Sequence, residues 1–168
     1  RVQFTPDLMP ADILGSEVLE TAPDGSRAFR FLEGPIFCQL LMADEINRAS
    51  PRTQSALLQA MQEREVTIAG QHRPLGRPFH VLATQNPLEQ AGTYPLPEAQ
   101  LDRFLMKASL GYPDHASTML ILEGSARKQA AELDGVVPAE MVVKLIELAK
   151  SVHVDPEIND YVSRIVEA

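Results

Sequence analysis

The sequence predicts an α/β fold in which helices flank a parallel sheet, followed by a helical segment. Residues 40–43 are apolar on both faces, and residues 79–83 form a second run of the buried type, as expected for strands inside a parallel sheet. Both runs lead into polar residues, and open α/β sheets bind their ligands at the carboxyl ends of the strands. From residue 114 onward, apolar residues recur at helical spacing.

Composition limits the classes of protein to which this chain can belong. Its 168 residues, 45% of them hydrophobic, suffice for one core and a small second one. A net charge of −8 argues against a broad nucleic-acid surface, and no apolar stretch approaches the roughly 20 residues that cross a membrane. Cys38 is the single cysteine, and the four histidines have no metal-ligand spacing. We therefore expect a cytoplasmic domain without an internal disulfide.

The first apolar run leads directly into two adjacent carboxylates, Asp44 and Glu45. Acids this close raise each other's pKa and are hard to keep ionised without a cation. A hard metal such as Mg²⁺, with phosphate nearby, would supply that cation. These residues predict a Walker B element, in which Asp44 holds the Mg²⁺ of a bound nucleotide and Glu45 polarises the attacking water.

The alternative for these acids is helix capping, because carboxylates favour the positive end of a helix dipole. A better helix start lies downstream, where Ser50 fits the N-cap and Pro51 fits the first helical position. Leu57 and Ala60 then recur at helical spacing. We therefore place the two acids in the loop between the strand and this helix.

The second apolar run leads to Asn86, and a loop of residues 87–97 follows it. An asparagine at the carboxyl end of a strand can donate to a phosphate and orient a water, as a sensor 1 residue does. The alternative is that Asn86 is only a turn residue.

A short helix after this loop ends at Arg103, before a third apolar run at residues 104–110 that predicts another strand. From this position Arg103 can reach toward the nucleotide of a neighbouring subunit, as an arginine finger. The alternative is an ion pair with Asp102 or Glu98.

Long stretches of this chain resemble the MoxR family of AAA+ ATPases. The matching stretches are residues 4–10 (FTPDLMP), 41–51 (LMADEINRASP), 83–87 (ATQNP) and 92–104 (GTYPLPEAQLDRF). The resemblance extends over nearly all of residues 2–113, and its motifs are too long to be a chance pattern.

The resemblance implies a partial AAA+ P-loop NTPase core followed by the start of an α-helical lid. It implies hydrolysis of ATP with Mg²⁺ in a homo-oligomeric ring, expected to be a hexamer. It also implies a chaperone-like role in maturing or activating partner proteins, which include proteins with von Willebrand factor A domains. By matching position, the Walker B acids of the family fall on Asp44 and Glu45, its sensor 1 on Asn86 and its arginine finger on Arg103.

The P-loop motif of the family, Gly-x-x-x-x-Gly-Lys-Ser/Thr, does not occur in these 168 residues. We expect it to precede Arg1 and the sensor 2 arginine to lie beyond Ala168, so the 168 residues alone should bind ATP weakly and be inactive. In the family, the strand before the P-loop lies at the centre of the sheet. Without it, two strand edges would be unpaired, and the sheet should be unstable or borrow a strand.

Two other classes of function fit part of the sequence. If the chain is complete, the missing P-loop predicts a scaffold or interaction module that does not hydrolyse ATP. A magnesium chelatase subunit or a relative of the replicative helicases would belong to the same broad clade. The long match over residues 94–104 favours the MoxR type.

The domain organisation follows from these patterns. We place the core at residues 1–113 and the start of the lid at residues 114–168. Turns at residues 23–26 and 69–70 predict two hairpins, and the inserts at these positions in the family often face the pore of the ring and contact the client. Three helices are predicted in the lid, near Asp114, Pro138 and Pro156, with apolar stripes that we expect to lie in a core.

Overall fold

A computed structural model of the protein describes residues 1–86, 92–123 and 135–167. The chain divides into two compact units, Arg1–Glu132 and Leu133–Ala168. The expected boundary between core and lid after Pro113 stays a prediction. None of the helices in the described ranges is long and apolar enough to cross a membrane.

Strands and helices are mixed up to β7, and among the described elements only helices follow β7. In chain order they are β1 (Val2–Gln3), α1 (Pro10–Leu14), β2 (Gly15–Thr21), β3 (Arg27–Glu33), β4 (Leu40–Asp44), a 3₁₀ helix (Ile46–Arg48), α2 (Pro51–Glu63), β5 (Glu65–Ile68), β6 (Gln71–Pro74), β7 (His80–Ala83), α3 (Glu98–Leu101), α4 (His115–Leu122), α5 (Ala139–Lys150) and α6 (Pro156–Glu167).

The predicted α/β fold with a parallel sheet is confirmed, since β1, β4 and β7 form a parallel sheet in that order. Leu41 and Ala43 of β4 are buried on one face of this sheet. The expectation that β4 is buried on both faces is wrong, because Leu40 and Met42 are 59% and 37% exposed. Within the described part of the chain, the second face of the sheet is therefore open.

The core of the first unit lies between the covered face of the sheet and α2. Its largest fully buried apolar side chains are Phe4, Ile13, Ile36, Leu41, Ile46, Leu57 and Leu58. Each such side chain contributes about 1.5–3 kcal/mol through burial. The predicted helix start is confirmed: Ser50 caps α2 by accepting a hydrogen bond from Thr53 N at 3.3 Å, and Pro51 is the first helical residue.

Both predicted hairpins are confirmed. β2 pairs with β3 in antiparallel register, from Gly15 opposite Glu33 to Thr21 opposite Arg27, and β5 pairs with β6 across residues 69–70. In the first turn, Asp24 accepts hydrogen bonds from the hydroxyl and the N–H of Ser26, and these bonds lower the pKa of Asp24. The expected contact of these hairpins with a client stays a prediction.

The prediction of a strand at residues 104–110 is wrong. This segment belongs to no sheet, and Leu105 and Leu110 are fully exposed. A strand forms only where a neighbouring strand satisfies its N–H and C=O groups. Among the described strands, β7 bonds only to β4 in its sheet, so one edge of β7 is unpaired, as expected without the central strand of the family.

The three helices predicted after Pro113 are confirmed as α4, α5 and α6. Asp114 caps α4 by accepting from Ser117 N at 2.8 Å, and this hydrogen bond lowers the pKa of Asp114. The expectation that their apolar stripes lie in a core is wrong, because members of all three stripes are exposed, among them Leu122 of α4 at 75%. In the second unit, the two helices alone provide too little surface to cover each other's stripes. Exposed members of these stripes are Leu145, Leu148, Ile158, Tyr161 and Ile165.

Candidate functional site

The two adjacent acids lie at the carboxyl end of β4, but only Glu45 lies in the predicted loop, because Asp44 still belongs to the strand. Asp44 is the last residue of β4, and its side chain is buried. Glu45 takes the left-handed conformation (φ 53°, ψ 49°), which is uncommon for a residue other than glycine. This turn leads the chain out of the sheet into the short 3₁₀ helix.

Glu45 occupies the N-cap position of the 3₁₀ helix, but neither acid makes a capping bond with its side chain, as the capping alternative would require. Ser50 caps α2, and the Glu45 side chain makes no capping hydrogen bond to the 3₁₀ helix. Asp44 Oδ2 instead accepts from Arg1 Nε, and Glu45 Oε2 accepts from Gln3 Nε2 at 2.8 Å and from Arg48 at 3.4 Å. Arg1 and Gln3 thus bind the two carboxylates from a distant part of the chain, whereas Arg48 binds Glu45 from the adjoining 3₁₀ helix.

Thr84, the residue after β7, joins the two acids. Its hydroxyl donates to Asp44 Oδ1 at 3.2 Å and accepts from Glu45 N at 2.9 Å. Its backbone also bonds to the segment that carries the acids: Thr84 N donates to Ala43 O at 3.0 Å, and Ile46 N donates to Thr84 O at 3.0 Å. One hydroxyl therefore orients the carboxylate of the first acid and the backbone of the second.

Sequence reasoning missed the role of Thr84, although the residue lies in the quoted ATQNP stretch. A hydroxyl that can both donate and accept, placed two residues before Asn86 at a strand end, is the signal that could have identified it. The pairing of β4 with β7 is what brings this hydroxyl to the acids, and that pairing is a long-range contact.

Asn86 lies two residues beyond Thr84, at the same edge of the sheet as the acids. It is half-buried, and its backbone oxygen is 3.4 Å from Nδ2 of Asn47, a buried residue of the segment that follows Glu45. Residues 87–91 of the predicted loop lie outside the described residues. The structure therefore brings Asn86 and the acids to adjacent strand ends.

Arg103 lies apart from this group, two residues beyond the end of α3, and it is exposed. It borders a cleft of about 290 Å³ whose other lining residues are Ser55, Leu58, Gln59, Gln62, Glu63 and Gln100. Within the described part of the chain its guanidinium forms no ion pair with Asp102 or Glu98 and no bond to either acid of the pair. The ion-pair alternative is thus not formed.

The groups at the strand ends fit a magnesium–nucleotide better than an all-protein metal site. Asp44, Glu45, Thr84 and Asn86 all offer oxygen atoms, which Mg²⁺ prefers. In the described ranges, no group of three or more His, Cys, Asp or Glu side chains could hold a metal. Mg²⁺ in nucleotide sites needs only one or two carboxylates, because phosphates and waters complete its shell.

Comparison with known proteins gives a consistent set of matches. Residues 1–106 match the profile of the ATPase family associated with various cellular activities (AAA). YeaC of Bacillus subtilis and the chaperone MoxR1 of Mycobacterium tuberculosis are each 44% identical over 99% of this chain, which covers 52% and 43% of their lengths. Protein MoxR of Paracoccus denitrificans is 31% identical over 100% of the chain and 52% of its own length.

A solved structure supports the same relationship. A crystal structure of a proposed ATPase from Cytophaga hutchinsonii has a TM-score of 0.82 and 40% identity, covering 100% of this chain and 50% of that one. This chain spans about half the length of the curated relatives that it matches over its whole length.

Proposed function

Since this chain belongs to the MoxR family of AAA+ ATPases, we propose that it carries the acids, the sensor and the arginine of a Mg²⁺-dependent ATP hydrolysis site. The supporting observation is the set of oxygen-bearing groups at the carboxyl ends of β4 and β7, with Thr84 bound to both acids. The 168 residues contain no P-loop, so activity is proposed for a protein that also supplies one.

Each residue at these strand ends has a distinct role in the proposal. Bound Mg·ATP would supply the phosphoryl group and a metal ion that polarises it. Asp44, oriented by the Thr84 hydroxyl, would hold the metal. Glu45 accepts the proton of the attacking water and aligns that water for attack. The Asn86 amide also orients the water.

Arg103 acts on the site of the neighbouring subunit in a ring. A guanidinium fork matches the charge that spreads over the phosphoryl oxygens during transfer. Two observations support this role: Arg103 is exposed, and its guanidinium binds no side chain in the described ranges. A side chain that acts between subunits needs this freedom within its own subunit.

We propose that the ring, a hexamer, remodels partner proteins in the cytoplasm. One relative is named as a chaperone, which supports this class of function. The clients would include proteins with von Willebrand factor A domains, and the hairpins β2–β3 and β5–β6 would contact them. Phe29 at 72% exposure and Leu19 at 52% are paired across the first hairpin and offer an apolar contact surface.

The first test of this function is Glu45→Gln in the whole protein. The amide keeps the shape of the side chain but cannot accept a proton, so ATP binding should persist while hydrolysis falls about 10²- to 10⁴-fold. Calorimetry measures binding and phosphate release measures turnover. Glu33→Gln, an exposed acid of β3, is the matched control and should change neither. Hydrolysis at the wild-type rate in Glu45→Gln would make this acid structural.

The second test separates action within a subunit from action between subunits. Arg103→Ala and Glu45→Gln subunits, each inactive alone, are mixed in one ring. Some interfaces then pair an intact Arg103 with an intact Glu45 of the next subunit, and those interfaces should recover turnover. Absence of recovery in mixed rings of demonstrated composition would return Arg103 to a role within its own subunit.

A further inference from the structure

Gln54 is a buried polar residue in the first turns of α2 that the roles above do not use. Its side chain is 1% exposed. Its amide nitrogen lies 3.1 Å from Ile46 O, 3.1 Å from Ala49 O and 2.8 Å from Tyr94 O. An amide NH₂ has two hydrogens, so these carbonyls share a fully engaged donor.

The carbonyls that Gln54 binds belong to two segments far apart in the sequence. Ile46 and Ala49 lie just after the acids, whereas Tyr94 lies in the segment that leads to α3. Gln54 and Tyr94 are 40 residues apart in the chain. The amide therefore joins the acid-bearing turn to the Arg103-bearing region.

A second hydrogen bond reinforces this joint, by which we mean the connection between the turn after the acids and the Tyr94 segment. Tyr94 N donates to Asn47 O at 2.6 Å, so both backbone groups of Tyr94 bind the region that follows the acids. The Tyr94 side chain is 45% exposed, and the anchor is its backbone. The segment is held by hydrogen bonds to the joint and by the buried side chain of Leu96, two residues further on.

The path from this anchor to Arg103 is short. After Leu96 the chain enters α3, and Leu101 and Phe104 pack against the core on either side of Arg103. At the other end of the joint, Ile46 is bound to Thr84 O, the residue that orients both acids. A change in the Gln54 bonds would therefore alter how the Arg103 segment is placed relative to the acids.

We propose that Gln54 is a positioning residue for Arg103: its amide holds the backbone of Tyr94 against the turn after the acids and so sets where the arginine is presented to the neighbouring subunit. This role rests on the proposed function. A hydrogen-bond donor is required at this position because three carbonyl oxygens meet there, which no apolar side chain can satisfy.

The first measurement is amide hydrogen exchange in the whole protein, comparing wild type with Gln54→Met. Methionine keeps the length of the side chain but removes the donor. Exchange at the three amides of residues 93–97, those of Thr93, Tyr94 and Leu96, should accelerate about five- to tenfold, which corresponds to the loss of one ordinary hydrogen bond. Exchange in the later turns of α2, at Leu57 and Leu58, should not change. The control is Gln39→Met, an exposed glutamine before β4.

Two results of this measurement would overturn the role of Gln54. Unchanged exchange at residues 93–97 would show that the amide does not hold the segment. Equal acceleration along all of α2 would show that Gln54 only stabilises its helix. Neither result depends on ATP hydrolysis.

The second measurement assigns Gln54 to one side of the subunit interface. In rings that mix Gln54→Met with Glu45→Gln subunits, the Glu45→Gln subunit offers a correctly held Arg103 to the intact acids of its neighbour. Turnover should recover. In rings that mix Gln54→Met with Arg103→Ala subunits, no subunit presents the arginine correctly, and turnover should stay low.

The opposite pattern, recovery with Arg103→Ala and none with Glu45→Gln, would overturn the proposal, because Gln54 would then serve the acids of its own subunit. Recovery with neither, in rings that assemble, would also overturn it, because the defect would be a general one. If instead the reference mixture of Arg103→Ala with Glu45→Gln does not recover, the proposed function fails. The exchange result at residues 93–97 distinguishes that failure from a failure of the Gln54 anchor.

Discussion

Asp44 and Glu45 are held by side chains from the segments on either side of β4, whereas Arg103 projects from the end of a short helix without a bond from its guanidinium to any described residue. Thr84 and Gln3 bind the acids directly. The arginine is positioned only through its backbone and its neighbours. In the proposed mechanism, groups that act in their own subunit are oriented within the fold, and the group that acts on another subunit stays open.

The largest expected effect concerns Arg103, whose guanidinium is not held within its own subunit. Arg103→Ala should leave folding and ATP binding nearly unchanged and lower turnover about 10³- to 10⁵-fold. Arg103→Lys keeps the charge but loses the planar fork, so it should restore little of the rate. Single-turnover phosphate release measures both, with the exposed Arg52→Ala as the matched control. Full activity in Arg103→Lys would show that charge alone matters.

The next effect concerns Asp44, one of the two acids held within the fold, and is measured through the dependence of ATP binding on Mg²⁺. Asp44→Asn removes charge beside the proposed metal and should weaken Mg²⁺-dependent ATP binding about 10- to 100-fold. Titrations of ATP with and without Mg²⁺ measure this difference, and the exposed Asp7→Asn serves as control. If the loss of affinity is equal without Mg²⁺, the carboxylate acts on the fold and not on a metal.

A smaller effect should follow from removing a hydrogen bond that orients the acids while keeping both acids. Thr84→Val deletes the hydroxyl that binds both acids and should lower turnover about tenfold, the usual consequence of losing a hydrogen bond to a charged group. Thr84→Ser keeps the hydroxyl and should retain most of the rate. Hydrogen exchange at residues 93–97 should be unchanged in both variants. Accelerated exchange there would show that the positions of the acids and of the Arg103 segment are not independent.

The smallest expected effect concerns Gln3. Its amide binds Glu45 at 2.8 Å at an exposed position, so Gln3→Leu should change turnover only about two- to fivefold. Steady-state phosphate release measures it, with Gln39→Leu as control. A loss as large as that of Glu45→Gln would show that the orientation of this carboxylate depends on Gln3 rather than on Arg48.

Features whose determinants lie close together in the chain are predictable from the sequence. The Ser50–Pro51 helix start, the turn around Asp24 and the Asp114 cap each depend on contacts within about three residues. The placement of Asp44, Glu45 and Asn86 is predictable as well, because the carboxyl ends of neighbouring parallel strands meet at one edge.

Other features depend on residues far apart in the chain. Thr84 binds the acids from 39 and 40 positions away, and Gln54 binds Tyr94 from 40 positions away. In the sequence alone, each is a polar residue that could equally well lie at the surface without a specific partner. Only the pairing of β4 with β7 and the packing of α2 give them their partners.

The sequence by itself determined the strands β4 and β7, the two hairpins, the starts of α2 and α4 and the oxygen-rich chemistry at two strand ends. The tertiary structure decided which apolar residues are covered: one face of β4 is buried while Leu40 and Met42 are exposed. It also decided that residues 104–110 form no strand. The physical reason is that strand pairing and burial each require a partner surface, and periodicity in the sequence indicates the need for that surface without supplying it.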